Sequence, residues 1–271
     1  CRSARTQPSR MSFARSAGQG ALEFSGGGRL LGLFAQLRLL FSPAHWRMLR
    51  DILRFFRHTK GLLTTNQLPD STLGEFLDAH GYSSEFQRRF LCPMAGAIWS
   101  MPASETRQFP FPAFARFFDS HGLPNVFRRP KWRTISGGSQ RYVDAMLTDF
   151  AGELRLETTV TSIRRLDEGV EVTSEHSTEH FDAVVCAVHG DIAARLLADA
   201  DEAEAAVLGQ IRYAENRAVL HTDRKLMPRR KLTWSSWNVL QSADRLDDQA
   251  VCLSYWMNCL QALDTEEEYF V

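Results

Sequence analysis

The hydrophobic pattern of this chain changes period near Pro130, and that change limits the folds open to it. Over residues 29–122 apolar side chains, many of them phenylalanine, recur three and four positions apart, as amphipathic helices require. Beyond Pro130 short apolar runs alternate with glycine turns and helix starts, which is how strands interleaved with helices read. The expected class is α/β with α+β character, a partial α/β layer combined with a helical unit and antiparallel strands. Four segments follow: a strand-and-loop start over 1–28, a helical part over 29–130, the partial α/β layer over 131–212 and antiparallel strands over 213–271.

Two short strands are expected within 11–25, around Gly18 and Gly20, and the Gly26-Gly27-Gly28 turn leads into a helical run over 29–41. Pro43 opens the next helix, in which Trp46, Leu49, Leu53 and Phe56 form the inward stripe and Arg47, Arg50, Arg54 and Arg57 the adjacent one. Ser71 is placed to cap a helix over 71–80 with Phe76 and Leu77 inward, and Ser83 or Ser84 caps one over 83–98. Phe109-Pro110-Phe111-Pro112 interrupts the chain before a helix through Phe114, Phe117 and Phe118. Gly137-Gly138 precedes a helix over 139–150, and strands are expected over 154–157, 160–165 and 170–174. The run 183–188 reads as a buried strand, with Asp191 capping the helix after it. Strands over 218–222, 233–240 and 250–257 complete the pattern.

Lys+Arg and Asp+Glu balance at 32 each, which removes the electrostatic case for nucleic acid as a partner, although residues 1–60 are strongly basic. The five cysteines show no CxxC spacing and fit a reduced, cytoplasmic compartment. No apolar stretch approaches the ~20 residues of a membrane-spanning helix. The start at Cys1 and the apolar end at Tyr269-Phe270-Val271 read as cuts within a longer protein.

Several motifs dissolve in context. Gly26-Gly27-Gly28 to Gly32 imitates a nucleotide loop, but the preceding Leu22-Glu23-Phe24 is too short and polar for a central strand and Asp51 lies within a helix. His176-Ser177-Thr178-Glu179-His180 matches a zinc-protease pattern in a polar hairpin connection, where extended backbone separates the histidines by ~13 Å. No serine elbow, P-loop or Cys/His metal grid is present, so no metal is expected.

Three features carry more. Gly137 and Gly138 ahead of a helix either let a ligand approach backbone amides or form an ordinary loop. Ala187, Val188 and His189 end an apolar strand, where open α/β sheets bind ligands, and His189 either faces a cofactor or holds the loop. Trp234, Trp237 and Trp256, with Asn238 and Asn258, either line a substrate cavity or pack a core, and Trp237 and Trp256 are expected to share one wall.

The segments Trp46-Arg47-Met48-Leu49-Arg50-Asp51-Ile52-Leu53-Arg54-Phe55, Pro93-Met94-Ala95-Gly96-Ala97-Ile98-Trp99-Ser100 and Arg129-Pro130-Lys131-Trp132-Arg133-Thr134-Ile135-Ser136-Gly137-Gly138-Ser139 resemble the flavin-containing amine oxidoreductase family. Asn216-Arg217-Ala218-Val219-Leu220-His221-Thr222-Asp223 and Ser254-Tyr255-Trp256-Met257-Asn258 extend the likeness over nearly the whole chain. The resemblance implies a Rossmann-like FAD domain, here without its glycine fingerprint, and a substrate domain. It puts Gly137 and Gly138 in the FAD domain, Val160 at the adenine end of FAD, and Ala187 and His189 near the cofactor. Val188-His189 stand where the family often has proline, and no cysteine is placed for a covalent flavin. The implied activity is hydride transfer from a substrate C–H bond to FAD, with no catalytic acid or base identified; Trp237, Trp256 and Asn258 remain the candidate cavity residues. Substrates range from amines to porphyrinogen-like rings and lipid chains. Two rivals stand beside it: a lipid or carotenoid-like desaturase or isomerase at a membrane surface, suggested by the basic helix after Pro43, and a non-catalytic module that binds a lipid or partner.

Overall fold

The computed structural model describes residues 6–8, 13–17, 22–25, 30–99, 101–123, 133–211, 213, 215, 217–241 and 252–271. Gly18 and Gly20 between the two expected strands, the Gly26-Gly27-Gly28 turn and residues 129–132 of the family-like segment lie outside them. Two compact units form, one from residues 1–148 and 217–271 and one from 149–216.

In the first unit, β1 (Thr6–Pro8), β2 (Phe13–Ala17) and β3 (Glu23–Ser25) precede α1 (Leu30–Leu33). The continuous helix expected over 29–41 is instead this short turn followed by a 3-10 turn over Leu37–Phe41. Ser42 then caps α2 (Pro43–Thr64), its hydroxyl accepting from His45 N, and Pro43 occupies the first turn, where its missing N–H costs nothing. The inward face of α2 is His45, Met48, Asp51, Phe55, Phe56 and Thr59. Trp46 and Leu53, expected inside, are 50% and 45% exposed.

The α3 helix (Leu73–Ala79) starts one residue later than expected, because Thr72 and Glu75 close a reciprocal capping box with bonds of 3.2 and 2.8 Å. After Ser83 caps α4 (Ser84–Phe86), the chain continues helically through a π-type turn over Gln87–Leu91 into α5 (Cys92–Trp99). Then come α6 (Ala103–Gln108) and α7 (Phe111–Ser120), the latter beginning at the expected proline break. Phe55 is the hub between these helices, its ring 5.5 to 6.3 Å from those of Phe76, Tyr82, Phe86 and Phe114. Phe76 also stacks on Phe111 at 3.7 Å. Each fully buried ring contributes roughly 1.5–3 kcal/mol of burial, so this cluster dominates the unit's stability. Next come β4 (Arg133–Ile135), paired antiparallel with β1, and α8 (Gln140–Thr148).

The second unit holds β5 (Val160–Arg165), β6 (Val170–Ser174) and β7 (Thr178–Phe181) as an antiparallel meander, followed by α9 (Gly190–Leu196) and α10 (Glu202–Gly209). The HxxEH segment forms the β6–β7 connection and the start of β7, as its polarity implies. Residues 154–157 are not a strand. Neither is the run expected to be buried: residues 181–189 are exposed, Val185 to 91%. An apolar strand of this kind needs hydrogen-bonded neighbours and covered faces, and no described strand pairs with it.

The chain returns to the first unit with β8 (Trp237–Gln241), β9 (Cys252–Tyr255) and α11 (Met257–Gln261). These strands build a four-stranded sheet in the order β3-β2-β8-β9, in which β2 runs parallel to β8 and the other pairs are antiparallel. The strand expected over 218–222 is reduced to a bridge between His221 and Phe270.

Candidate functional site

In the glycine turn before α8, Gly137 and Gly138 take φ of 84° and 87°, a region that side chains with a Cβ strongly disfavour. Gly138 N donates to Ile135 O at 3.1 Å. A Cβ on Gly138 would meet nothing within 4 Å, so the space over this backbone is open, whereas the Arg141 side chain lies across Gly137. The turn exposes backbone next to the positive end of a nine-residue helix, with an arginine beside it.

Val160, Ala187 and His189 belong to the second unit. Val160 is half-buried at the start of β5, where the register with β6 slips between Val160 and Ser162. Ala187 is exposed. His189 occupies the N-cap position of α9 without a side-chain cap bond, and its ring lies flat on Tyr213, 4.2 Å between centroids and 5° from parallel. Tyr213 Oη accepts from Gly190 N at 2.9 Å, so the helix start expected to be capped by Asp191 is satisfied by a tyrosine 23 residues away. Asp191 sits in the first turn instead, paired with Arg195 at 3.1 Å, and its buried Oδ1 finds no hydrogen-bond partner among the described residues. Sequence spacing carries no signal for Tyr213 in this role.

The two candidate cavity tryptophans are not brought together. Trp237 is the register partner of Tyr255, and their rings meet edge-on at 5.4 Å. Trp256, one residue on and therefore on the other side of an extended backbone, packs edge-on against Trp234 at 5.4 Å. Each indole N–H is buried without an acceptor among the described residues. Asn258 holds the C-terminal strap: Nδ2 donates to Glu267 O at 2.7 Å and Oδ1 accepts from Tyr269 N at 2.8 Å.

Around Asn238, which the sequence singled out, lies a buried polar layer whose other members it did not indicate. Glu23, Ser25, Ser235, Asn238 and Ser254 are all at most 5% exposed. The Glu23 carboxylate accepts from the backbone N–H groups of Arg229 and Arg230 at 3.0 and 3.2 Å and from the Arg230 guanidinium at 3.1 Å. Ser25 and Ser235 hydroxyls bond at 2.8 Å. Each of these groups has a partner within the protein, which fixes register more than it invites a ligand.

Two further titratable clusters lie among the helices. Burial pushes the Tyr82 hydroxyl up to about 12 although the Arg54 guanidinium, 4.3 Å over its ring, pulls the other way. His58 Nδ1 lies 3.2 Å from that hydroxyl, and burial, helped by His80 and Arg54, keeps its imidazole below the ordinary histidine range. His45, between Phe24 and Phe34, is also held low by burial; the Leu33 backbone opposes this, although among the described residues neither ring nitrogen reaches full hydrogen-bond geometry. Among the described residues no group of His, Cys, Asp and Glu could hold a metal.

Against a flavin dinucleotide the residues present fit in part. In the first unit the open glycine turn offers backbone that a ligand can approach, in the second the irregular start of β5 does so separately, and no described segment forms a glycine-rich strand-turn-helix for the pyrophosphate. The chain resembles the structure of a "Putative protoporphyrinogen oxidase" from Exiguobacterium sp. 255-15, with 16% identity and TM-score 0.56 over 98% of this chain and 59% of that one. It also resembles wild-type putrescine oxidase bound to putrescine, with 11% identity and TM-score 0.63 over 98% of this chain and 58% of that one. At such identities the likeness is one of fold, and this chain spans under two thirds of either neighbour. No curated protein matches it. The family described as flavin containing amine oxidoreductase matches residues 13–262, nearly the whole length. The chain belongs to the flavin-containing amine oxidoreductase family.

Proposed function

We propose that the protein carrying this chain is an FAD-dependent oxidoreductase of the amine oxidase type, which takes a hydride from a substrate C–H bond. The observation that carries this reading is the family match over residues 13–262. Bound FAD would supply the redox chemistry. In this reading Val160 meets the adenine end of the cofactor and Ala187 and His189 lie along it, all within the second unit, while the open backbone at Gly137 and Gly138 is a separate candidate contact of the first unit. The stack of His189 on Tyr213 supports an orienting role, since a ring held flat cannot swing into or out of a site. The exposed apolar run containing Val184, Val185 and Val188 supports further strands of the full-length protein pairing there. The substrate is a small or lipid-like molecule, and the Trp237–Tyr255 pair is the aromatic surface that could exclude water from it.

The test compares this segment with the full-length protein, both purified without added cofactor and scanned for visible flavin absorbance after desalting. The segment should be colourless and the full-length protein yellow. Charge-assisted hydrogen bonds to a pyrophosphate contribute ~1.5–3 kcal/mol each, so loss of a few weakens binding by several powers of ten. A colourless full-length protein would remove the oxidoreductase reading, and a yellow segment with stoichiometric FAD would show that these residues alone form the site.

A further inference from the structure

The exposed side of α2 carries a pattern that neither core packing nor the cofactor reading uses. Trp46, Arg50, Leu53, Arg57 and Lys60 recur at helical spacing, all exposed, opposite the buried stripe of Met48, Phe55 and Thr59. The stripe runs ~21 Å along the helix. At its N-terminal end the 3-10 turn over Leu37–Phe41 projects Leu37 and Phe41, which are 78% and 85% exposed. This knuckle is held in place. The Trp46 indole donates to Leu40 O at 2.8 Å and packs on Phe34 at 5.2 Å, while Ser42 N donates to Leu39 O at 3.2 Å.

The charge around it is one-sided. Residues 29–64 contain seven Lys or Arg and a single acid, Asp51. Asp51 is buried, accepts from Ser83 N at 3.0 Å and lies beside Arg50 and Arg54 at 3.6 and 3.8 Å, so it contributes no exposed negative charge. From another element, Glu85 pairs with Arg47 at 2.9 Å, whereas the Arg50 side chain remains 72% exposed. Among the described residues no helix is long and apolar enough to cross a membrane.

We propose that the outer face of α2 and the Leu37–Phe41 knuckle form a docking surface for an anionic phospholipid bilayer. Phe41, Leu37 and Trp46 enter the headgroup boundary, where large apolar and amphipathic rings gain most, and Arg50, Arg57 and Lys60 lie over lipid phosphates. Charge complementarity selects this occupant: an apolar protein partner would satisfy the knuckle but leave the cationic stripe without a counterpart. The surface is preformed, so docking requires no ordering of chain. The inference is independent of the FAD reading.

The test uses the full-length protein and sedimentation with vesicles of phosphatidylcholine, with and without phosphatidylglycerol. Binding is expected only with phosphatidylglycerol, and it weakens as salt rises from about 0.1 M to about 0.5 M. Each exposed arginine adds about fivefold to such binding, so Arg50→Gln with Arg57→Gln should weaken it by about 25-fold. Leu37→Ser with Phe41→Ser should weaken it by about tenfold or more. All four side chains are solvent-facing, and circular dichroism checks that the variants fold. Val207→Ser, an exposed apolar change in the second unit, should leave binding unaltered. The proposal is overturned if anionic vesicles are not bound, or if both double variants bind as the unchanged protein does. It is also overturned if the protein ignores vesicles and self-associates through a contact that Phe41→Ser abolishes. Flavin colour is read separately, so its loss bears only on the oxidoreductase reading.

Discussion

Replacing Asn238 by aspartate should destabilise the first unit strongly at neutral pH and less so in acid. Asn238 is fully buried on β8, opposite Ser254 of β9. Its Oδ1 accepts from Ser235 N at 2.9 Å, and its Nδ2 donates to Ser235 O at 2.6 Å and to Ser254 O at 3.1 Å. Asn238→Asp preserves size and shape, so no cavity confuses the result, but turns the donor into an oxygen facing two carbonyls. Two buried carbonyls lose their donor at ~1–3 kcal/mol each, so about 2–6 kcal/mol is expected. That is a large part of a typical domain's ~5–15 kcal/mol. The introduced carboxyl has its folded pKa raised above the unfolded value near ~3.9. The penalty is therefore smallest below that value and grows as pH rises toward the folded pKa, by up to ~1.4 kcal/mol per pH unit. Urea unfolding followed by tryptophan fluorescence measures it, because all six tryptophans fall in the first unit. A cost under about 1 kcal/mol, or one that does not change between about pH 4.5 and about pH 7.5, would refute the role assigned to this amide.

Phe111→Ala removes a fully buried ring stacked on Phe76 and should cost about 3–5 kcal/mol in the same assay. Thr72→Ala opens the capping box of α3 and should cost about 1 kcal/mol, with Thr72→Ser retaining most of it. Gly138→Ala meets open space but a φ of 87°, so its cost comes from backbone strain alone, about 1 kcal/mol. His45 and His58 are both held below the ordinary histidine range, chiefly by burial, so the folded state resists their protonation. Stability is then complete above about pH 6.5 and falls as pH drops through it, and His45→Phe should flatten that decline in acid-titrated urea curves.

The helices were legible because their punctuation is local. Pro43, Ser83 and the Phe109–Pro112 break all act where the sequence places them. The antiparallel pairing of β8 and β9 was legible from alternation, but the parallel addition of β2 to β8 was not, since it joins residues over 220 positions apart. The run 183–188 failed for a related reason: composition reports what a segment is suited to pair with, and no described strand lies beside it. At the candidate site, the double glycine before α8 was readable from spacing, whereas the Tyr213 support of His189 and Gly190 depends on a return of chain that no local pattern announces.

The face of α2 is the instructive failure. Counting only apolar residues, Trp46, Leu49, Leu53 and Phe56 make a plausible inward stripe, but it lies well to one side of the buried one. The true inward face contains His45, Asp51 and Thr59, which a count of apolar positions assigns to solvent. Asp51 is inside because its carboxylate accepts the Ser83 N–H at the start of α4, a helix-start donor that would otherwise be unsatisfied, and arginines at its rim offset the buried charge. His45 is inside because a neutral imidazole packs edge-on against Phe24 and Phe34 as another ring would. With those two positions committed inward, α2 can rotate no further, and Trp46 must lie on the outer edge. The exposure of Trp46 beside Phe41 thus follows from polar contacts made on the opposite side of the helix. An isosteric change of Asp51 to asparagine, which retains the cap but removes the charge, should therefore leave Trp46 exposed, whereas Asp51→Leu should loosen the helix and alter Trp46 quenching by acrylamide. Equal quenching in both variants, with helix content preserved, would show that the orientation of α2 is set elsewhere.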